Sequence, residues 1–150
     1  MYNTNTSVLT ILERDLAKVI AELNAFQQEQ NMWKLQGTIN NSAGNLALHI
    51  SGAVSHFIGA VLGNNGYQRN REKEFSDKNT PRDEVILKIY EAIASIKAVL
   101  PYIEEDEMQK EFPEKIGGQT LSIGFFLTHL ISHINYHLGQ INYHRRIVEG

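Results

Sequence analysis

Apolar residues recur at helical spacing in four stretches of the chain. From about Thr6 to Gln28, Leu9, Leu12, Leu16, Val19, Ile20, Leu23 and Phe26 keep a three-and-four rhythm. That rhythm marks a helix burying one face. From about Ser42 to Leu62, Leu46, Ile50, Val54, Phe57, Ile58 and Val61 do the same. Ser42 is suited to cap its start, and Gly63 to end it in a left-handed conformation. The third stripe is Ile86, Ile89, Tyr90, Ile93, Ile96 and Leu100. Thr80, Pro81 and Asp83 predict its start as cap, first helical residue and capping-box acid. Pro101 ends or kinks it. Gly117-Gly118 marks a turn before the last helix, roughly Thr120 to Val148.

The polar segment Asn64 to Asn79 is long for a loop. It predicts a crossover that lets the second and third helices run parallel. The fold class is therefore all-α, a four-helix bundle with one long crossover. No alternating run argues for a sheet, though Phe112 to Ile116 fits a short extended piece. Trp33 reads as core. The acidic segment Glu104 to Glu107, the mixed run Arg69 to Glu74 and the pair Arg145-Arg146 read as solvated surface.

Composition narrows the function. The 150 residues suit a single domain spanning 1–150. With no cysteine, disulfides, thiolate ligands and a cysteine nucleophile are excluded. The net charge of −3 lacks the basic footprint of a nucleic-acid binder. No apolar run comes near the ~20 residues needed to cross a bilayer. Met1 to Thr4 show no basic-then-apolar leader pattern. A cytoplasmic protein without membrane or nucleic-acid partners is the expectation.

The six histidines carry the chemistry. His129, His133, His137 and His144 fall within roughly 80° of one another around the last helix, and Gln140 shares that arc. His49 and His56 sit seven residues apart on one face of the second helix. Side chains four apart stack one turn above the other, so two imidazoles can reach one ion. Packing alone would favour Leu or Ile there, because a buried imidazole needs partners. A pair from the last helix and one histidine from the second make a three-ligand site with an open position. Spacing leaves His129 with His133, or His133 with His137, and either His49 or His56. Imidazole donors suit zinc, nickel, iron or copper, and magnesium or calcium poorly.

Several known patterns are absent. Leu130 and Ile134 follow His129 and His133, so the metalloprotease glutamate is missing. No histidine has Glu three residues before it, as di-iron bundles require. Gly63-Asn64-Asn65-Gly66 lacks the ending of a phosphate loop.

The stretch Leu127 to Ile141, with His133-x-x-x-His137-Leu138-Gly139-Gln140, resembles the last-helix signature of the DinB/YfiT superfamily. Asn45-Leu46-Ala47-Leu48-His49-Ile50 resembles the segment carrying that superfamily's third ligand. Trp33 through Phe75 resembles an uncharacterised bacterial branch of it. Leu138 stands where an arginine is usual. The resemblance implies a four-helix bundle, commonly a homodimer, holding one divalent ion on His49, His133 and His137. His129, His56 and Gln140 are then candidates to support the ligands, with Asn45 and Tyr136 as weaker ones. It also implies a metal- and thiol-dependent transferase or a metal-assisted hydrolase acting on a small molecule. A low-molecular-weight thiol would be the second cofactor. The other expectation is a non-catalytic dimer stabilised by its metal.

Overall fold

The computed structural model describes residues 3–150. Met1 and Tyr2, half of the segment read for a leader pattern, lie outside the described residues. Five α-helices follow in order: α1 (Thr4–Ala25), α2 (Ala43–Val54), α3 (Arg71–Ser76), α4 (Arg82–Val99) and α5 (Ile123–Glu149). Four are the long helices expected. The short α3 lies within the predicted crossover.

Local chemistry sets the helix starts. Asn3 Oδ1 accepts from Thr6 N at 2.9 Å, Ser42 Oγ from Asn45 N at 3.2 Å, and Ser122 Oγ from Phe125 N at 3.2 Å. Each satisfies an N–H with no partner inside the helix. The last helix therefore begins after Ser122, not at Thr120. The capping box foreseen at Thr80 does not form. Pro81 takes the cap position with no side-chain bond, and Arg82 N donates to Glu29 instead. Phe112 to Ile116 forms no strand; Ile116 bridges to Gln119, and the preceding Glu111 to Ser122.

Contacts in register give the topology. Gly59 lies against Ser95 and Gly63 against Val99, so α4 runs parallel to α2 and its continuation. Asp15 meets Asn135, and Glu22 meets Asn142 and Arg145, so α1 and α5 are also parallel. Glu13 pairs with Lys97 while Phe26 O accepts from Arg82, which makes α1 and α4 antiparallel. The long crossover joins a parallel pair, as its length implies. Arg145 is not free surface, since it pairs with Glu22 at 2.8 Å.

The core runs between the four long helices. Leu12, Leu16, Val19 and Leu23 of α1 meet Val85, Ile89, Ala92 and Ile96 of α4 in one cluster. The α4 stripe is rotated from the one expected, and Tyr90 is 56% exposed. Every residue of α2 is buried. A helix buried on every side belongs at the centre of its bundle. Small residues let its neighbours close in; a Cβ on Gly44 would lie 2.7 Å from the Trp33 ring. Trp33 is core, as expected.

From Ser55 to Leu62 the chain continues α2 as a π-helix, with Gly63 N bonded to Ile58 O at 2.8 Å. Gly63 has φ −96° and is not left-handed; Asn64, at φ 49°, makes that turn. Glycine is needed at 63 for room, since a Cβ there would meet Val99 Cγ2 at 2.5 Å. By length and composition Ala43–Leu62 could cross a membrane, with mean hydropathy 1.4, which corrects the sequence reading. Its apolar surface is turned inward instead, 72% buried within the bundle. What hid the run is the scatter of Asn45, His49, His56, two serines and three glycines among the aliphatic residues.

His144 also belongs to the core. It is 2% exposed, lies 5.9 Å from the Phe26 ring, and donates Nε2–H to Lys34 O at 2.6 Å. Burial lowers its pKa, partly opposed by the Lys34 carbonyl. In the unfolded chain it takes up a proton near ~6.5; in the fold it does so only at lower pH. Between those values the unfolded state binds more protons, so stability is full above ~6.5 and falls as pH drops. The urea midpoint should therefore decline more shallowly from pH 7 to 5 in His144→Gln than in the parent. Identical slopes would show that His144 makes no such contribution.

Candidate metal centre

The site lies where α2 and α5 cross. On α5, His133 and His137 are one turn apart, with ring centroids at 4.5 Å. On α2, His49 faces both, at 5.1 Å from each. His49 Nε2 and His133 Nε2 are 3.0 Å apart. One donor atom from each of the three histidines lies within 4.8 Å of the other two. Nitrogens on one zinc-sized ion, bonded at ~2.0–2.1 Å, sit roughly 3–3.5 Å from each other. The cluster can hold a metal ion after small side-chain rotations.

His49 is the most firmly held of the three. Its Nδ1 is 3.0 Å from Glu74 Oε1, and both side chains are buried. Arg69 clamps the same carboxylate through Nε and Nη2, each at 2.8 Å. Burial alone would raise the Glu74 pKa. Hydrogen bonds from Arg69 and His49, and their charge, outweigh burial and hold it below the usual range. An ionised carboxylate only accepts, so His49 Nδ1 carries the hydrogen. Its Nε2 lone pair is then turned toward α5. This is the carboxylate–histidine arrangement that orients metal ligands.

The fold makes room for that carboxylate. A Cβ on Gly52 would stand 2.0 Å from Glu74 Oε2. Asn45 Nδ2 donates to Glu74 O at 2.9 Å and to Asp77 O at 2.8 Å, fastening α3 to α2. The mixed run Arg69 to Glu74 is solvated surface at Arg71, Glu72 and Lys73, as expected, but not at Arg69 and Glu74. Glu74 is 6% exposed, because the Arg69 guanidinium neutralises it and His49 donates a hydrogen bond to it.

His133 is neutral at ordinary pH. Burial, then the neighbouring His137, His49 and His129, lower its pKa to about 4. Burial lowers His137 too, partly opposed by Gln140, whose Oε1 is 2.6 Å from His137 Nδ1. A neutral imidazole keeps the lone pair that a metal needs.

The other candidates fall outside the cluster. His129 is exposed and stacks on His133 at 6.3 Å. His56 lies in the π-helical turns, and its Nε2 is 3.0 Å from both carboxylate oxygens of Glu114. It is two turns from His49, beside Phe57, whose ring packs on Phe126. His144 lies beyond the site, in the core described above. Tyr136 is 66% exposed, with its ring 5.5 Å from His137. Glu74 and Arg69 were missed because no spacing rule links a crossover carboxylate to a histidine 25 residues earlier.

A cleft of about 400 Å³ opens beside His49 and His133. Phe57 and Phe126 form part of its wall, packed edge to face at 5.0 Å. A second hollow of about 380 Å³ is bordered by Gln140, Tyr143 and His144 and touches none of the three clustered histidines.

No curated protein matches the chain. The sequence pattern of the DinB family matches residues 1–146. With its helical bundle and histidine cluster, this chain belongs to the DinB family.

Proposed function

We propose that His49, His133 and His137 hold one divalent ion of the zinc, nickel or iron type, and that the centre serves small-molecule chemistry. The observation that carries this reading is the convergence of three imidazoles from opposing helices, one of them held by a buried carboxylate. Three neutral nitrogen donors suit such ions and leave room for a further ligand. An ion bound there supplies Lewis acidity, lowering the pKa of a thiol or water at its open position. Glu74 and Arg69 keep His49 in one tautomer, and Gln140 orients His137. His129, exposed beside His133, is placed to exchange protons between the cleft and solvent. The reaction class that fits is transfer of a thiol to a small electrophile, or hydrolysis.

A purely structural centre is the second reading. It draws on the placement of the ligands, which would staple α2 to α5. Both readings predict stabilisation by metal. An ion present at 100 times its dissociation constant adds about 2.7 kcal/mol, or roughly 5–10 °C in Tm at this size. Chelator treatment followed by readdition, watched by differential scanning fluorimetry, should show that loss and its recovery. An unchanged Tm, with no metal in the protein before or after, would exclude both. Thiol consumption by the metal-loaded protein alone would favour the catalytic reading.

A further inference from the structure

The cleft beside the histidines sets the partly exposed Phe57 ring near cations that have no ion-pair partner among the described residues. Phe57, Phe126 and Leu130 line one part of it, and Arg69, Arg71 and Lys115 line another. The three cations are not equivalent. Arg69 is committed to Glu74 by two bonds at 2.8 Å. Arg71 and Lys115 are exposed and have no ion-pair partner among the described residues. The guanidinium of Arg71 lies over the Phe75 ring at 5.2 Å, which leaves its N–H edges free to donate. Glu114 is the acidic residue on the cleft wall, and both its oxygens are turned to His56.

A surface bearing two free cations beside the partly exposed Phe57 ring selects a particular kind of molecule. Guanidinium and ammonium groups favour an oxyanion, through charge-assisted hydrogen bonds. Aromatic walls favour a flat apolar body. A volume of about 400 Å³ suits a small molecule. We propose that the cleft binds a small anion with a flat apolar body, a carboxylate, sulfonate or phosphate, whose charge is held by Arg71 and Lys115. The body lies against Phe57 and brings the reacting end to His49 and His133. The last point rests on the metal reading; the anion contact does not.

Benzenesulfonate is a suitable probe, because sulfonates coordinate metals poorly, and methyl phenyl sulfone is its neutral counterpart. Both are titrated into metal-loaded and metal-stripped protein, followed by amide chemical shifts. Benzenesulfonate should bind with a dissociation constant on the order of 1–10 mM, as its size implies. The sulfone should bind about tenfold or more weakly, the worth of one charge-assisted contact. The double variant Arg71→Glu, Lys115→Glu should lose that preference while keeping its metal content and Tm. Equal binding of the two probes, no binding of either, or an unaltered preference in the variant would overturn the proposal. Absence of metal from every sample, with the preference intact, would instead overturn the metal reading and leave the anion site standing.

Discussion

His133→Ala should empty the metal centre. Protein purified without a histidine tag should carry about one equivalent of zinc, nickel or iron, as a three-ligand site predicts. The variant should carry about a tenth of that or less, because two histidines on different helices form a far weaker site. Elemental mass spectrometry of the two proteins, side by side, reads this directly. The variant should still fold. His133 is only half-buried, and alanine is the best helix former. His129→Ala is the control that separates the two pairs left open by spacing. It should keep the metal, since His129 stands outside the cluster. Loss in His129→Ala with retention in His133→Ala would place the site elsewhere on α5. Full metal in both variants would end the three-histidine assignment.

Glu74→Gln should weaken the same centre without touching a ligand. The amide keeps the size of the carboxylate but not its charge. His49 Nδ1 then loses an ionic acceptor, and changes of this kind cost 10–100-fold in metal affinity. Arg69, with its side chain only 12% exposed, is left without its counter-charge. Breaking a buried pair on one side costs about 3–5 kcal/mol, a large share of a domain's ~5–15 kcal/mol. Two measurements check this: metal affinity by competition with a chromophoric chelator, and stability by urea unfolding of the metal-free protein. A stability loss with unchanged affinity would leave Glu74 a structural ion-pair partner and remove it from the centre. Unchanged values in both would contradict the contact itself.

The parts of the fold legible in the sequence are those with local causes. The apolar rhythm of α1 is plain because each turn repeats it, and the parallel run of α2 and α4 follows from the length of the link. His133, His137 and Gly139-Gln140 lie within two turns of one helix, so their pattern is visible in a line of text. The π-helical turns of Ser55–Leu62 leave no such trace. Phe57, Ile58, Ala60, Val61 and Leu62 are apolar on every side, and a change of period cannot be seen in an unbroken apolar run. Arg69 and Glu74 are hidden for a different reason. Charged residues in a polar link look solvated until the fold supplies a buried imidazole and the space above Gly52. The start of α4 fails similarly: Thr80 has the right chemistry for a cap, but Glu29, distant in sequence, supplies the acceptor.

The two parallel pairs also bear on how the molecule assembles. A bundle of successive hairpins can form its contacts between chain neighbours. Here α1 packs alongside α5 through contacts about 120 residues apart, such as Asp15 with Asn135. The histidines of α2 and α5 are separated by 84 residues. Long closures must be made before their contacts reward them, which slows folding relative to simple helical bundles. On the growing polypeptide His49 has no companions until the final helix has been synthesised and has docked. An ion held there would thus be captured at the end of assembly and would not seed it, so metal supply would govern how long the finished bundle lasts more than how fast it forms.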